Sequence, residues 1–577
     1  MAGQFAIGRW YHERPMLVRD LIAARLRDAV SEAQRTGALP PFDLPQSGIV
    51  ERPQKTGHGD FASGLPLRVA KAAKRPPLEI AQTLADALMR NAEHGDPIGA
   101  VSAAPPGFVN FHLSDDWLRA QVEAIRSAGE TFGNVEIGEG KRVQVEFVSV
   151  NPTGPVHVGH ARGAVLGSGL ARALAAAGFD VTREYYVNDA GNQMELFYRS
   201  VFARYAEALG RTDVPLPEDG YQGAYLVELG KELAERHGPH YLEMDAAEGT
   251  AELGEEALRR MLDVIRADLE RIGVDFDVWF RERDLYADGQ YEETMTLLRE
   301  RGYTAVRDGA EWFTSTALGD EKDNVIVRST GAPTYFASDI AYHRDKFGRR
   351  GFDRVIDIWG ADHQGHVPRM KAVMQALDLD PDRLTILIGQ LVTLKSGGDI
   401  VRASKRSGNI VTLGDLVDEV GADACRYFFL ARAAESQMEF DLELAKKESS
   451  ENPVYYVQYA HARIAGIVRQ ASERGVAWDD GDTALLTDSA ELALVRKMLQ
   501  LPEIVDSIAV TLAPHSLPHY AVDLATAFHW FYDHCRVLSS DPADAPLMKA
   551  RLKLTEAARV ALARTLALMG MSAPETM

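Results

Sequence analysis

The chain has 577 residues, too many for one hydrophobic core, so we expect about three domains. Its formal net charge is −21, which argues against indiscriminate nucleic-acid binding, because such binding requires clustered cations. No apolar run is long enough to cross a membrane and no export signal is evident, so we expect no membrane partner. Two cysteines, Cys425 and Cys535, cannot build a disulfide framework, which favours a reducing cytoplasm.

Residues 1–135 are predicted to form a small α+β domain. Helical periodicity covers roughly 15–36 and 77–93. Apolar and polar side chains then alternate over Gly107–Leu113, which predicts a strand. A glycine-containing segment after these elements is a plausible domain boundary.

Residues 51–75 carry six basic side chains against two acidic ones, the reverse of the overall charge. Lys55 and Lys71 in this stretch are therefore candidate contacts to the phosphates of a nucleic acid. A solvated helix face explains the same charge pattern equally well.

Residues 136–414 change to an alternation of strands and helices, which predicts a Rossmann-type catalytic domain with a parallel sheet. Such sheets bind ligands at the carboxyl ends of their strands. The predicted elements are strand Val143–Val150, helix Ala161–Ala177, strand Val181–Val187, strand Val355–Trp359 and strand Leu384–Ile388. A helical insertion occupies about 205–330.

Residues 415–577 are predicted to contain no strands and to form an all-α helical bundle. Amphipathic periodicity predicts four helices, over 453–474, 489–510, 517–538 and 546–569. The predicted fold is therefore multidomain α/β, with a Rossmann-type domain between an N-terminal α+β domain and a C-terminal helical-bundle domain.

Two histidines, His157 and His160, follow the first strand of the predicted parallel sheet, with Gly159 between them. A helix N-terminus offers unpaired N–H groups and a positive dipole end, which suits a triphosphate. The glycine allows close approach of a nucleotide, and imidazoles can stabilise charge that develops on phosphate oxygens. A His-x-x-His spacing by itself also fits a metal pair or two surface histidines.

A basic, glycine-containing loop much later in the chain includes Arg402, Ser404 and Lys405. Its cations could close over the β- and γ-phosphates of ATP during displacement, and the serine adds a hydroxyl. Such a loop is usually a solvated turn. Together with the histidine turn upstream, however, it favours an ATP-dependent enzyme.

Two further motifs are candidate binding sites. The segment from Gly360 to His366 follows a predicted strand, and Asp362 could hold ribose hydroxyls while His366 contacts the nucleotide; metal ligation is the competing interpretation. Tyr335 and Asp339 are four residues apart, so a helix would place both on one face, where they could bind a cationic side chain. A buried tyrosine with a helix-capping aspartate is an equally good interpretation.

Taken together, these motifs resemble those of the class I aminoacyl-tRNA synthetases, specifically the bacterial arginyl-tRNA synthetases. His157–His160 resembles the HIGH motif of that family, and Arg402–Arg406 resembles its KMSKR motif, with arginine and alanine in the first two positions. Similar phrases occur from end to end, including Tyr186–Gln193 and Asn452–Arg463.

This resemblance implies ATP-dependent attachment of L-arginine to tRNA(Arg) through an arginyl-adenylate. Mg²⁺ would bridge the ATP phosphates, and no dedicated metal site in the protein is expected. The N-terminal domain would touch the outer corner of tRNA, and the helical domain would bind the anticodon. We expect a cytoplasmic monomer.

The resemblance also implies roles for individual residues. His157 and His160 would stabilise the transition state at the α-phosphorus, and Lys405 would stabilise the pyrophosphate leaving group. Other ATP-binding residues would be Gly159, Gly360, Asp362, His366, Arg402 and Ser404. The arginine site would comprise Glu146, Ser149, Asn151, Tyr335, Asp339 and Gln364. Contacts to tRNA would come from Tyr455, Tyr459, Arg463, Lys55 and Lys71, although several aromatics on one helix are more often core residues.

The alternative function is a metal-dependent phosphoesterase. It would use as ligands the side chains of His157, His160, Asp362, His363 and His366. It predicts a tightly bound transition metal, and activity that chelators abolish and magnesium does not restore.

Overall fold

The computed structural model describes residues 17–45, 48–53, 57–90, 95–401 and 411–577. The N-terminal part is a three-stranded antiparallel sheet of order β1-β3-β2 packed against helices, as predicted for an α+β domain. Phe61 and Phe111 face each other across this sheet and are fully buried. Its elements are α1 Val18–Arg35, β1 Phe61–Ser63, α2 Leu65–Ala73, α3 Pro77–Arg90, β2 Ile98–Ala104, β3 Phe108–Leu113 and α4 Asp115–Ala128.

The central part contains a five-stranded parallel sheet, which confirms the predicted Rossmann-type architecture. Its strands and first helices are β4 Arg142–Glu146, α5 Val158–Ala176, β5 Asp180–Val187, α6 Asn192–Ala208, α7 Ala224–His237, α8 His240–Glu243, α9 Ala246–Arg271 and β6 Val278–Arg281. After these come α10 Glu282–Ala287, α11 Gln290–Glu300, β7 Thr304–Arg307, β8 Ala310–Phe313, β9 Asn324–Val327, α12 Tyr335–Arg344, β10 Arg354–Gly360, α13 Val367–Ala376 and β11 Leu384–Gly389.

The strand order of this sheet is β11-β10-β4-β5-β6. The chain builds outward from β4 through β5 to β6 on one side, and later returns to β10 and β11 on the other. Strand order therefore reverses between β4 and β10. Open parallel sheets bind ligands at such a reversal, beyond the carboxyl ends of the strands.

The first strand is shorter than predicted, because β4 ends at Glu146 and not at Val150. Val148 and Ser149 have φ angles of 70° and 40°, in the left-handed region that β-branched residues rarely adopt. This backbone turns the chain out of the sheet. It is consistent with a functional site, where uncommon conformations are concentrated.

The segment 205–330 was predicted to be helical, and this was only partly correct. Val278–Arg281 is β6, the edge of the parallel sheet, and β7, β8 and β9 form a separate antiparallel sheet. Each of these strands has only four residues. Runs this short carry too few positions for a two-residue period to be distinguished from a helical one.

The last part of the chain is mainly helical. After β12 Val392–Ser396 and β13 Asp399–Ile400, its elements are α14 Leu413–Val420, α15 Ala422–Leu430, β14 Met438–Asp441, α16 Leu442–Lys446, α17 Pro453–Glu473, α18 Ser489–Met498, α19 Leu501–Thr511, α20 Ser516–His534 and α21 Ala545–Met569. The prediction of no strand beyond residue 415 was wrong, because β14 pairs with β12. The single helix predicted over 489–510 is two helices, and Pro502 lies in the first turn of the second.

Helix α5 is joined to the helical part of the protein by a buried arginine. The Arg426 guanidinium donates to the main-chain oxygens of Met569 and Ile272 and to the Ser168 hydroxyl of α5. At the periphery, Arg52 and Glu503 form an ion pair at 2.6 Å between the N-terminal and helical parts. Among the helices of the described residues, none has the length and hydropathy needed to cross a bilayer.

Gly167 of α5 packs directly against Phe147, where a Cβ atom would lie 2.1 Å from Cγ of the ring. Gly167→Ala should therefore destabilise the protein by about 1–3 kcal/mol, since backbone or ring must move. Gly163→Ala on the same helix is the matched control, because a Cβ there meets nothing within 4 Å. It should be neutral or stabilising by about 0.5–1 kcal/mol. Chemical denaturation measures the free energy of unfolding of both variants. A higher value for Gly167→Ala than for Gly163→Ala would contradict this packing.

Candidate active site

The histidine turn begins α5, because His157 is the residue that caps the helix. His157 Nδ1 accepts a hydrogen bond from the Gly159 main-chain N–H at 3.0 Å, so the neutral ring carries its proton on Nε2. The His157 and His160 rings lie 4.0 Å apart between centroids. A Cβ on residue 159 would approach His157 Cε1 to 2.7 Å. A side chain at this position would therefore displace the His157 ring.

Residues 411–413 run antiparallel beside the histidine turn. The Val158 N–H donates to Val411 O at 3.1 Å, and the Leu413 N–H donates to Val156 O at 2.7 Å. Val411, the first described residue after 402–410, therefore lies directly against the start of the helix that begins with the histidines. Arg402, Ser404 and Lys405 lie outside the described residues, so their roles stay predictions.

The turn after β10 leaves the same edge of the sheet as the histidine turn. Gly360 ends β10, and residues Ala361–His366 form a 3₁₀ turn that leads into α13. Asp362 and Gln364 are exposed, and burial lowers the pKa of His366 to about 4, with further lowering by Arg369. His366 is therefore neutral at physiological pH. It can donate one hydrogen bond and accept another.

Glu146 lies at the end of β4, next to Asp357 of β10 in the strand register. Its Oε2 accepts from Lys346 Nζ at 2.6 Å, and its Oε1 accepts from the Ser149 hydroxyl at 3.0 Å. Burial raises the pKa of Glu146, and Lys346 acts in the opposite direction. Asn151 is further out on the surface, where its amide donates to Gln193.

Tyr335 and Asp339 lie one turn apart on α12, which confirms the helix expected from their spacing. Tyr335 is 45% exposed and so is not a buried core tyrosine. Burial raises the pKa of Asp339 to about 6, and Glu146 adds to the shift. A carboxyl in this position favours a cationic ligand, which would stabilise its charged form.

We refer to the cluster of acidic side chains around Glu146 and Asp339 as the carboxylate pocket. Three residues of this cluster were not anticipated from the sequence. Glu282 follows β6 and is 3% exposed; burial raises its pKa to about 7, and nearby Asp339 and Asp189 contribute. Lys346 and His343 both bond to Asp357, at 2.9 Å each. Glu282 directly follows the short strand Val278–Arg281, whose first three residues are apolar, and this is a usable signal. Lys346 has no local signal, because its partner Glu146 is 200 residues away.

Known proteins are similar to this chain over nearly its full length. Family models match residues 18–113 (arginyl tRNA synthetase N terminal domain), 121–447 (tRNA synthetases class I (R), catalytic domain) and 457–577 (DALR anticodon binding domain). The arginine–tRNA ligase of Dehalococcoides mccartyi is 55% identical over 97% of this chain and 99% of the relative. The arginine–tRNA ligase of Carboxydothermus hydrogenoformans is 49% identical over 92% and 94% respectively.

The chain belongs to the arginyl-tRNA synthetase family. The solved Thermus thermophilus arginyl-tRNA synthetase has the same fold, with a TM-score of 0.77 and 22% identity over 97% of this chain and all of that one. The acidic side chains near Glu146 and Asp339 and the histidine turn both lie within the part of the chain that matches the catalytic-domain model.

The helical part, of which residues 457–577 match the DALR anticodon binding domain, carries an aromatic surface. Tyr455 and Tyr459 stack at 5.9 Å, and the Arg463 guanidinium lies over the rings of Tyr459 and Tyr532. Tyr459 is 36% exposed, so this cluster is not a buried core as the alternative interpretation held. Exposed, stacked rings of this kind can receive unpaired bases.

The basic stretch 51–75 is only partly available to a nucleic acid. Arg52 is engaged with Glu503, and Arg68 donates to the Gly48 main chain. Lys71 is exposed on α2 and remains a candidate phosphate contact. Lys55 lies outside the described residues.

The phosphoesterase alternative receives no support from the geometry. All five of its proposed ligands are described, and within the described ranges no three His, Cys, Asp or Glu side chains are grouped so that they could hold a metal ion. His363 and His366 contact each other only edge to face, at 5.3 Å between ring centroids.

Glu282 should make the ligand-free protein less stable as pH rises. Its folded pKa of about 7 exceeds the usual value of 4.5, so the folded state holds an extra proton between these values. From pH 5 to pH 8 the wild type should lose roughly 2–3 kcal/mol more stability than Glu282→Gln. Urea denaturation at both pH values measures this, with Glu448→Gln on the surface as control. Equal losses in all three proteins would show that Glu282 is not a buried, protonated carboxyl.

Proposed function

We propose that the protein attaches L-arginine to tRNA(Arg) in two steps that use ATP. The arginine carboxylate attacks the α-phosphorus of ATP, which releases pyrophosphate and forms arginyl-adenylate. The terminal ribose of the tRNA then takes the arginyl group, and AMP leaves. The observation that carries this proposal is a cluster of carboxyl side chains at the same sheet edge as a histidine-capped helix N-terminus.

The phosphate end of the substrate fits the start of α5. The first N–H groups of a helix and its positive dipole end favour phosphate. His157 and His160 would donate to the α-phosphate as negative charge grows on its oxygens. Mg²⁺ would arrive with ATP as part of the substrate and bridge its phosphates. Gly360, Asp362 and His366 would then contact the nucleoside from the neighbouring turn.

Lys405 would stabilise the departing pyrophosphate. It lies six residues before Val411, which is hydrogen-bonded beside the histidine turn. Six residues span at most about 20 Å, so the chain connection permits the ammonium group to enter the phosphate site. Arg402 and Ser404 would act from the same segment.

The arginine side chain fits the carboxylates at the other end. Asp339 and Glu146 would receive the guanidinium, whose planar fork pairs with carboxylates bidentately. Glu282 adds a third carboxyl group, whose ionised form a cationic ligand would stabilise, and Tyr335 would close the pocket from its exposed side. Ser149, Asn151 and Gln364 are placed nearer the surface, where they would contact the amino-acid backbone.

The tRNA would be held at two distant places. Tyr455, Tyr459 and Arg463 would stack on anticodon bases, and Lys55 and Lys71 would contact the backbone near the outer corner of the tRNA. A single chain carries all of these contacts, so we infer that the enzyme acts as a monomer. It would work in the cytoplasm, where its tRNA substrate is used.

Exchange of labelled pyrophosphate into ATP tests the proposed reaction. Exchange should require L-arginine and should be strongest with tRNA(Arg) present, while the other nineteen amino acids give only background. Guanidinium recognition by paired carboxylates favours arginine over lysine by about 10²-fold or more. Faster exchange with lysine or glutamine than with arginine would contradict the substrate assignment.

Lys405→Ala tests the phosphate site separately. Loss of one cation that acts on the leaving group should lower kcat for arginylation by about 10²–10³-fold, with tRNA affinity nearly unchanged. Lys549→Ala serves as the matched control, because its ammonium group pairs with Asp480 at 2.7 Å in the helical part. Single-turnover rates and filter binding separate these effects. Normal turnover in Lys405→Ala would remove its assigned role.

A further inference from the structure

Lys346 is fully buried beside the carboxylate pocket. Its ammonium group donates to Glu146 Oε2 at 2.6 Å and to Asp357 Oδ1 at 2.9 Å, and lies 4.1 Å from the centre of the Tyr342 ring. Its side chain is 0% exposed. Burial disfavours the charge of a lysine, but Asp357 and Glu146 raise the pKa of Lys346 above its usual value. The three side chains therefore form a buried triad of one ammonium group and two carboxyl groups.

A chain of hydrogen bonds extends from this triad to the main chain at Asp339, the second acidic residue of the pocket. The Asp357 Oδ2 atom contacts His343 Nε2 at 2.9 Å, and His343 Nδ1 contacts the main-chain oxygen of Asp339 at 2.8 Å. Glu146 contributes to the raised pKa of Asp339, so the two side chains are close enough to interact electrostatically. The helix that carries Asp339 is thus connected to Glu146 through the buried side chains of His343, Asp357 and Lys346.

The position of Lys346 in the chain explains how it can reach this place. It belongs to the π-helical turn Asp345–Arg349, which directly follows α12. Such turns are rare in proteins, and those that occur are often found at functional sites. Through Lys346, the helix that carries Tyr335 and Asp339 is joined to the two central strands β4 and β10.

The Glu146 carboxylate can accept hydrogen bonds from a ligand in addition to these contacts. Its Oε1 accepts from Ser149 and its Oε2 accepts from Lys346. A carboxylate has about four acceptor positions, so each oxygen retains capacity for one further donor. If Lys346 were removed, burial would favour the neutral form of Glu146, and a cationic substrate would lose its attraction.

We propose that Lys346 is a positioning residue for the binding of arginine. It keeps Glu146 ionised and oriented toward the guanidinium, beside Asp339. This rests on the proposed arginine-binding role of Glu146. Lys346 does not touch the substrate but acts through Glu146. Asp357 and His343 hold Lys346 in place and connect it to the main chain at Asp339.

A double-mutant cycle of Glu146→Gln and Lys346→Met tests this, with KM for arginine and for ATP measured in pyrophosphate exchange. Lys346→Met alone should raise KM for arginine by about ten-fold or more, and leave KM for ATP within about two-fold. In the Glu146→Gln background the same change should raise KM for arginine by less than about three-fold. Should Lys346→Met fail to fold, Lys346→Gln replaces it, with the same expected values.

Arg551→Met is the matched control, because it breaks a buried pair with Glu491 at 2.7 Å in the helical part. It should lower stability without changing KM for arginine. If Glu146→Gln leaves KM for arginine unchanged, the arginine role of Glu146 fails, and this inference with it. If Glu146→Gln raises that KM but the Lys346 variants do not, or if the two changes act independently, the inference alone is overturned.

Discussion

Parallel pairing of β4 with β10 is the constraint on which the rest of the structure depends. Its register places Asp357 directly opposite Glu146, so that two carboxylates from distant parts of the chain lie side by side in the core. Their repulsion is relieved by Lys346, which contacts both. Because side chains alternate between the faces of a strand, a shift by one residue would separate them.

The proposed substrate site beside these two strands has opposite charges at its two ends. The end beside α12 is lined with carboxyl groups, and burial raises the pKa values of Glu146, Asp339 and Glu282. The other end consists of a helix N-terminus capped by His157. An aminoacyl-adenylate of arginine has a matching polarity, with a cationic side chain and an anionic phosphate. In the proposed function this polarity would favour arginine before any contact to tRNA is considered.

Local patterns in the sequence were sufficient for much of this arrangement. The βαβ unit, the strands β10 and β11, and the shared helix of Tyr335 and Asp339 follow from periodicities of a few residues. Lys346 and Glu282 could not be found in this way, because their roles depend on pairing between segments far apart in the chain. The short strands β6 and β14 were missed for a similar reason, since pairing partners rather than periodicity define them. The role of Lys405 stays a prediction from its motif.

A crystal structure with a non-hydrolysable arginyl-adenylate analogue would test this account most directly. We predict that the guanidinium lies within hydrogen-bonding distance of the carboxylates of Asp339 and Glu146. The phosphate mimic of the analogue should lie at the first turn of α5, beside His157 and His160. A guanidinium bound away from these carboxylates, or a phosphate mimic away from α5, would contradict the account.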